Sequence, residues 1–412
     1  MVKMANTKIK KIKLIKKCVD IKKPTNFFAT FEPTFSCSIR KKYIVDDLYT
    51  AEKKVENTSG KKKKKWISFV GLIINICVIS GILIYYGLTS GIKSPSEVLS
   101  IGIKWKYLIF AVLALVGYLA CETLKYFQLI KKTTGRYRMK LAISTMILGR
   151  YYDNITPLGS GGEPFQIYHL NKNGVSGEKA TSIPLVKHVV WNITFVFFGI
   201  GILILNAFYP FSTNILIKIV GSIALIANGT IIFLLIFFSV SKRLAQVLVI
   251  KILKLLYKMR IIKNYKVTFF KVVKFVRNYQ KTIREIAKSV STLIIQFTLA
   301  IASYLCLFTI VYFIYLAFPH AERLDSLTWG YVVGCMMLCE LVTSVTPLPG
   351  GTGLAEFSFS AIFKSWFEPT IFPWALIVWR TLTYFFFLVM GGVIIVNNYI
   401  KGRIKNKKGT NK

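Results

Sequence analysis

Among the charged residues in or beside the long apolar runs of this chain, seven are candidates for chemistry: Arg150, Asp153, Glu163, Lys187, Glu340, Glu356 and Arg380. A charge at the centre of a bilayer costs about 2.5–3.5 kcal/mol on insertion scales, so each needs a role. Glu163 and Glu356 each follow a Gly pair, and a cation follows each of them after 24 positions, Lys187 and Arg380. Carboxylates in a mid-bilayer cavity can attract a cationic group, and Arg or Lys can hold a phosphate, Arg through a bidentate fork. The competing role is structural. Glu163 ends Ser160-Gly161-Gly162-Glu163, a capping box at a helix start, and each Glu can simply pair with its own cation. Thr352 to Glu356 is one residue too long for the same box.

Arg150 and Asp153 are three residues apart, as are Glu122 and Lys125, a spacing that favours pairing on one helix face. Glu340 lies one turn before Ser344 and is read as lining a cavity. His169 and His188 have no ligand spacing to Cys or carboxylate clusters and are read as hydrogen-bonded histidines. The seven Cys form no C-x-x-C pair, and no Ser/His/Asp order, P-loop or H-E-x-x-H motif is present. No metal, cofactor or covalent chemistry is expected.

The elements that must position these residues follow from hydropathy. The chain has 412 residues, 54% of them hydrophobic, in runs long enough to cross ~30 Å of hydrocarbon. A soluble protein is excluded, and so is a barrel of short alternating strands. Six runs are long enough to span: Trp66–Leu88, Tyr107–Ile130, Ile183–Phe208, Ile215–Val240, Val290–Phe318 and Phe372–Ile400. Two are too short and stop at turn clusters. Met139–Ile155 meets Thr156-Pro157 and Gly161-Gly162, followed by a half helix over Phe165–Asn171. Trp329–Val345 meets Thr346-Pro347, Pro349-Gly350-Gly351 and Gly353, followed by a short helix over Leu354–Trp366. Non-helical backbone at membrane depth is tolerated only where protein or a wet cavity satisfies it, so both are read as re-entrant hairpins, over 139–171 and 329–366.

Charge orients this plan. With the N-terminal arm inside and each hairpin returning to its starting side, the inside segments hold 46 of the 56 basic residues. Full crossings would move the basic stretch Ser241–Ser289 outside, against the positive-inside rule. The +39 charge therefore reads as cytoplasmic loops, with no nucleic-acid partner expected. Five segments result: a basic arm (1–65), a first membrane half (66–240), an amphipathic bridge (241–289), a second half (290–400) and a basic tail (401–412). Arm and bridge can contact anionic inner-leaflet lipid, and a solvated tail remains the alternative for the arm. Thr-Pro-Leu, a Gly pair, Glu, a cation and an aromatic stretch recur in the same order in both halves. Entered from opposite faces, the two hairpins form an inverted repeat, an arrangement that transporters use around a midplane site. The expected fold is an all-α polytopic membrane protein with about six spans and two opposed re-entrant hairpins.

The segments RYYDNITPLGSGGEPFQIYHL and SVTPLPGGTGLAEFSFSAIF, with VWR at 378–380, resemble the transmembrane flippase module of the lysylphosphatidylglycerol synthetase/flippase (multiple peptide resistance factor) family. The resemblance spans roughly 66–400, outside the arm, and is to free-standing members without the synthetase domain. It implies movement of aminoacylated or other phospholipids across the bacterial cytoplasmic membrane, with both termini cytoplasmic, and a link to resistance to cationic peptides. Lys187 stands where relatives often have Arg. Two rival functions remain. One is aminoacyl transfer from tRNA to phosphatidylglycerol, and the other is a membrane partner for a separate synthetase or glycosyltransferase.

Overall fold

The computed structural model describes residue 97 and residues 102–208, 215–240, 251, 280–281, 283–318 and 329–410. The arm, the first expected span Trp66–Leu88 and nearly all of the bridge lie outside the described residues. All regular elements of more than one residue among the described ones are helical. They are α1 (Trp105–Thr134), α2 (Met139–Ile155), α3 (Gly162–Lys172), α4 (Gly177–Phe208), α5 (Ile215–Val240), α6 (Val290–Ala317), α7 (Trp329–Thr343), α8 (Leu354–Phe363), α9 (Phe372–Arg380) and α10 (Phe386–Thr410).

Among the described residues, five stretches are long and apolar enough to cross a membrane: Trp105–Thr134, Gly177–Asn206, Ile215–Leu234, Val290–Ala317 and Phe372–Asn398. The chain is a polytopic all-α membrane protein, and these five match the expected spans among the described residues. The last runs through α9, a π-helical turn at Thr381–Phe385, and α10.

α1 shows how sequence makes a span. Ala111, Leu115, Tyr118, Glu122, Lys125, Tyr126 and Leu129 recur at helical spacing and are buried. Ile109, Val112, Leu113 and Val116 are exposed on the other side, where lipid replaces protein. The helix stops at Gly135, whose positive φ of 71° suits glycine and whose N–H donates to the Lys131 carbonyl. The buried stripe of α1 packs along α6.

The two short units are interrupted as the prolines require. α2 covers only about 25 Å and ends at Thr156, extended before Pro157, after which a 3-10 turn (Pro157–Gly159) leads into α3. α7 covers about 22 Å and gives way to a 3-10 turn at Pro349–Gly351 before α8. The two turns touch each other. Thr156 staples the first: its hydroxyl donates to the Tyr152 carbonyl at 2.7 Å and accepts from the Gly161 N–H at 2.9 Å. Gly350 is required in the second. Its φ is +64°, and a Cβ there would lie 2.3 Å from the Tyr384 ring. Each half crosses over, α2 packing on α10 and α7 on α4 and α5.

Candidate functional site

A cavity of about 230 Å³ lies where the turns meet, lined by residues of α1, α2, α6, α7, α8, both turns and the α9–α10 helix. Four of the seven charged residues line it: Arg150, Asp153, Glu340 and Arg380. Turn residues Gly350, Gly351 and Thr346 line it as well. Thr346 and Thr156 stand 190 positions apart, and at that offset Arg150 corresponds to Glu340. The two short helices thus present opposite charges to one cavity from matching positions.

Glu356 lies behind this wall, 2% exposed, and has two duties. One oxygen accepts from the Gly353 N–H at 2.7 Å, so Glu356 does cap α8. The cap counts from Gly353, not Thr352, which corrects the spacing argument above. The other oxygen lies 2.7 Å from Arg380 Nε, in an ionic contact whose N–H is not aligned as a hydrogen bond. Arg380 Nη2 and Arg150 Nε are buried without a hydrogen-bond partner. Both guanidinium groups therefore keep donors for an anionic oxygen.

The first half is wired differently. The Ser160–Glu163 capping box does not form, because the Ser160 hydroxyl donates instead to the Pro157 carbonyl. Asp153 reaches across from α2, and its carboxylate accepts from the Gly162 N–H at 2.8 Å. This gives α3 its first turn and starts it at Gly162, three residues before the expected Phe165. Asp153 is therefore a helix cap and makes no ion pair with Arg150. Arg150 instead faces the rings of Tyr118 and Trp191, at 5.5 and 5.2 Å.

Glu163 pairs with His188, Oε1 to Nδ1 at 2.8 Å, and not with Lys187. Both partners are partly exposed and outside the cavity lining. Lys187 goes to Glu122 at 3.3 Å, and the other oxygen of Glu122 holds Lys125 at 2.5 Å. The intrahelical Glu122–Lys125 pair is thus present and is joined by a third residue. Lys125 and Lys187 lie over the Trp191 ring at 4.6 and 5.1 Å, so three cations share one indole. Trp191 stacks in turn on Tyr304, 3.9 Å between centroids. His169 bonds Ser144 at 2.8 Å.

Glu122, Trp191, His188 and Tyr384 enter the charge network without having been singled out as site residues. One signal for two of them was available. Trp191 follows Lys187 by four residues and Tyr384 follows Arg380 by four, which puts an aromatic ring over each cation. Among the described residues no group of three His, Cys, Asp or Glu can hold a metal ion.

This arrangement has relatives. A UPF0104 membrane protein of Archaeoglobus fulgidus is 23% identical over 352 residues, covering 82% of this chain and 99% of the relative. The profile of the lysylphosphatidylglycerol synthase TM region matches residues 72–391, which include both hairpins, both cations and all four charged cavity residues. The chain belongs to the lysylphosphatidylglycerol synthase TM region family.

Proposed function

We infer that the chain moves phospholipid across the bilayer, with an aminoacylated phosphatidylglycerol as the substrate its family name suggests. The observation that carries this reading is the cavity, which brings Arg150, Arg380, Asp153 and Glu340 together inside a helical bundle. A lipid translocator must take a polar headgroup through a medium where bare charges are costly while its tails stay in lipid. Free guanidinium donors suit the phosphate, and Glu340 suits an amine. Read as opposed re-entrant hairpins of an inverted repeat, the two short units support a site near the midplane, reachable from either leaflet. On this reading both termini face the cytoplasm of a bacterial cell, the arm and bridge lie on anionic lipid, and a separate synthetase supplies the lipid.

The test is reconstitution in vesicles carrying fluorescent phosphatidylglycerol, its lysyl ester or phosphatidylcholine, with and without an ion gradient. Movement of one headgroup above protein-free vesicles is the expected result. No movement of any of them, together with lysyl transfer from charged tRNA, would hand the protein to the enzyme reading.

A further inference from the structure

Asn228 stands thirteen residues into the 26-residue helix α5, about 20 Å from its start and near the middle of that helix. Its neighbours Ile223, Ile226, Ile231 and Phe233 are exposed, as expected of a helix facing lipid. The Asn228 side-chain amide donates to the Ala224 carbonyl at 2.8 Å and, across the helix boundary, to the Ser344 hydroxyl at 3.0 Å. Ser344 is exposed and lines the cavity, as does Leu348, 37% exposed. On this side the cavity is therefore bounded by a hydrogen bond between two neutral side chains. Membrane hydrogen bonds of this kind contribute little on average, so an apolar contact would hold the helices as well.

We propose that the seam between α5 and the end of α7 is the slot through which the cavity opens sideways to lipid. Asn228 and Ser344 are positioning residues for the glycerol–ester region of a phospholipid whose headgroup occupies the cavity. The proposal rests on the lipid-moving reading and adds the route. The ester region offers carbonyl acceptors, and the Asn228 amide and Ser344 hydroxyl each supply a donor. In the structure those donors are satisfied within the protein, Asn228 on Ser344 and Ser344 on the Leu341 carbonyl at 2.8 Å. A passing lipid exchanges one neutral hydrogen bond for another, which has a small net effect on free energy. A polar seam opens on those terms, whereas an interdigitated apolar one would have to leave a void. The tails stay outside the slot, beside the exposed isoleucines of α5.

The experiment closes the slot. Asn228→Cys with Ser344→Cys, native cysteines replaced, is bridged by a short bis-methanethiosulfonate in vesicles, with each single variant treated in parallel. Bridging should lower phospholipid movement at least tenfold, and a thiol reductant should restore it. Movement unchanged in fully bridged protein would overturn the slot. A nitroxide on Asn228→Cys gives a readout that needs no transport. A wet slot makes it several-fold more accessible to a water-soluble nickel chelate than the same label on Ile226→Cys, and equal low accessibility at both overturns the proposal. Wild-type protein that moves no lipid counts against the lipid-moving reading. Where wild type moves lipid and the unbridged double variant does not, that is the loss expected at two positioning residues, and the nitroxide comparison then decides the slot by itself.

Discussion

The two hairpins carry Thr-Pro-Leu, a Gly pair, a Glu and, 24 positions after it, a cation in the same order, yet their charges are connected differently. In the second, Glu356 both caps α8 and pairs with Arg380, in one buried unit. In the first, capping falls to Asp153, Glu163 turns outward to His188, and Lys187 joins Glu122 and Lys125. Two differences account for this. At the 190-residue offset Asp153 corresponds to Thr343, which has no carboxylate and bonds the Cys339 carbonyl, so α8 must be capped by its own glutamate. At the same offset Glu122 and Lys125 correspond to Tyr312 and Tyr315, so α6 offers Arg380 no carboxylate. A repeat conserves positions, whereas the partner of each charge is set by the helix packed against it. The first half spreads these charges over four helices, α1 to α4, whereas the second ties Glu356 and Arg380 into one pair.

An all-or-none test asks whether the halves are inverted at all. Membrane-impermeant thiol labelling should reach Ser326→Cys and Thr370→Cys and miss Lys172→Cys and Lys266→Cys. Outside labelling at Lys266→Cys would break the inversion, because it would put the basic bridge outside. Next in size is Arg380→Ala. It strands the buried carboxylate of Glu356 and should cost roughly 3–5 kcal/mol, read from the thermal transition in detergent. Adding Glu356→Gln should recover most of that stability without recovering lipid movement, since the cavity still lacks its guanidinium. Recovery of movement would make the pair structural only. Lys187→Ala should cost less, about 1–2 kcal/mol, because Glu122 keeps Lys125. Equal losses at Lys187 and Arg380 would erase the contrast between the halves. Smallest is the cap: Asp153→Ala should cost about 0.5–2 kcal/mol and Ser160→Ala close to nothing. The reverse order would restore the Ser160–Glu163 box.

Much of the frame was legible in the sequence. Met139–Ile155 emerges with the expected bounds because a proline fixes its end and hydropathy its body. The Arg380–Glu356 pair was one of two open roles, and the structure allows both, since Arg380 holds Glu356 and still lines the cavity. The partner of Lys187 was not legible. Glu122 precedes it by 65 residues, and periodicity along one helix says nothing about which neighbour that helix meets. Asp153 escaped notice as a cap because its target, the Gly162 N–H, lies nine residues on, across a turn whose shape only the fold supplies. The spacing rule failed at Glu356 because it counted from a threonine, whereas a glycine at positive φ begins that helix.

The π turn at Thr381–Phe385 is in effect one residue added to a helix. Each residue advances an α-helix by roughly 100°, so the turn acts as a phase shift between α9 and α10. Upstream of it, Arg380 is locked to Glu356. Downstream, Phe387 meets Tyr118 edge-on at 6.1 Å, and Gly391 lies so close to Tyr151 that a Cβ would come within 2.4 Å of it. Neither end can turn to suit the other. Deleting one residue from Thr381–Phe385 would barely shorten the span, yet it would swing the whole of α10 through that angle against α2, and the error would appear as rotation.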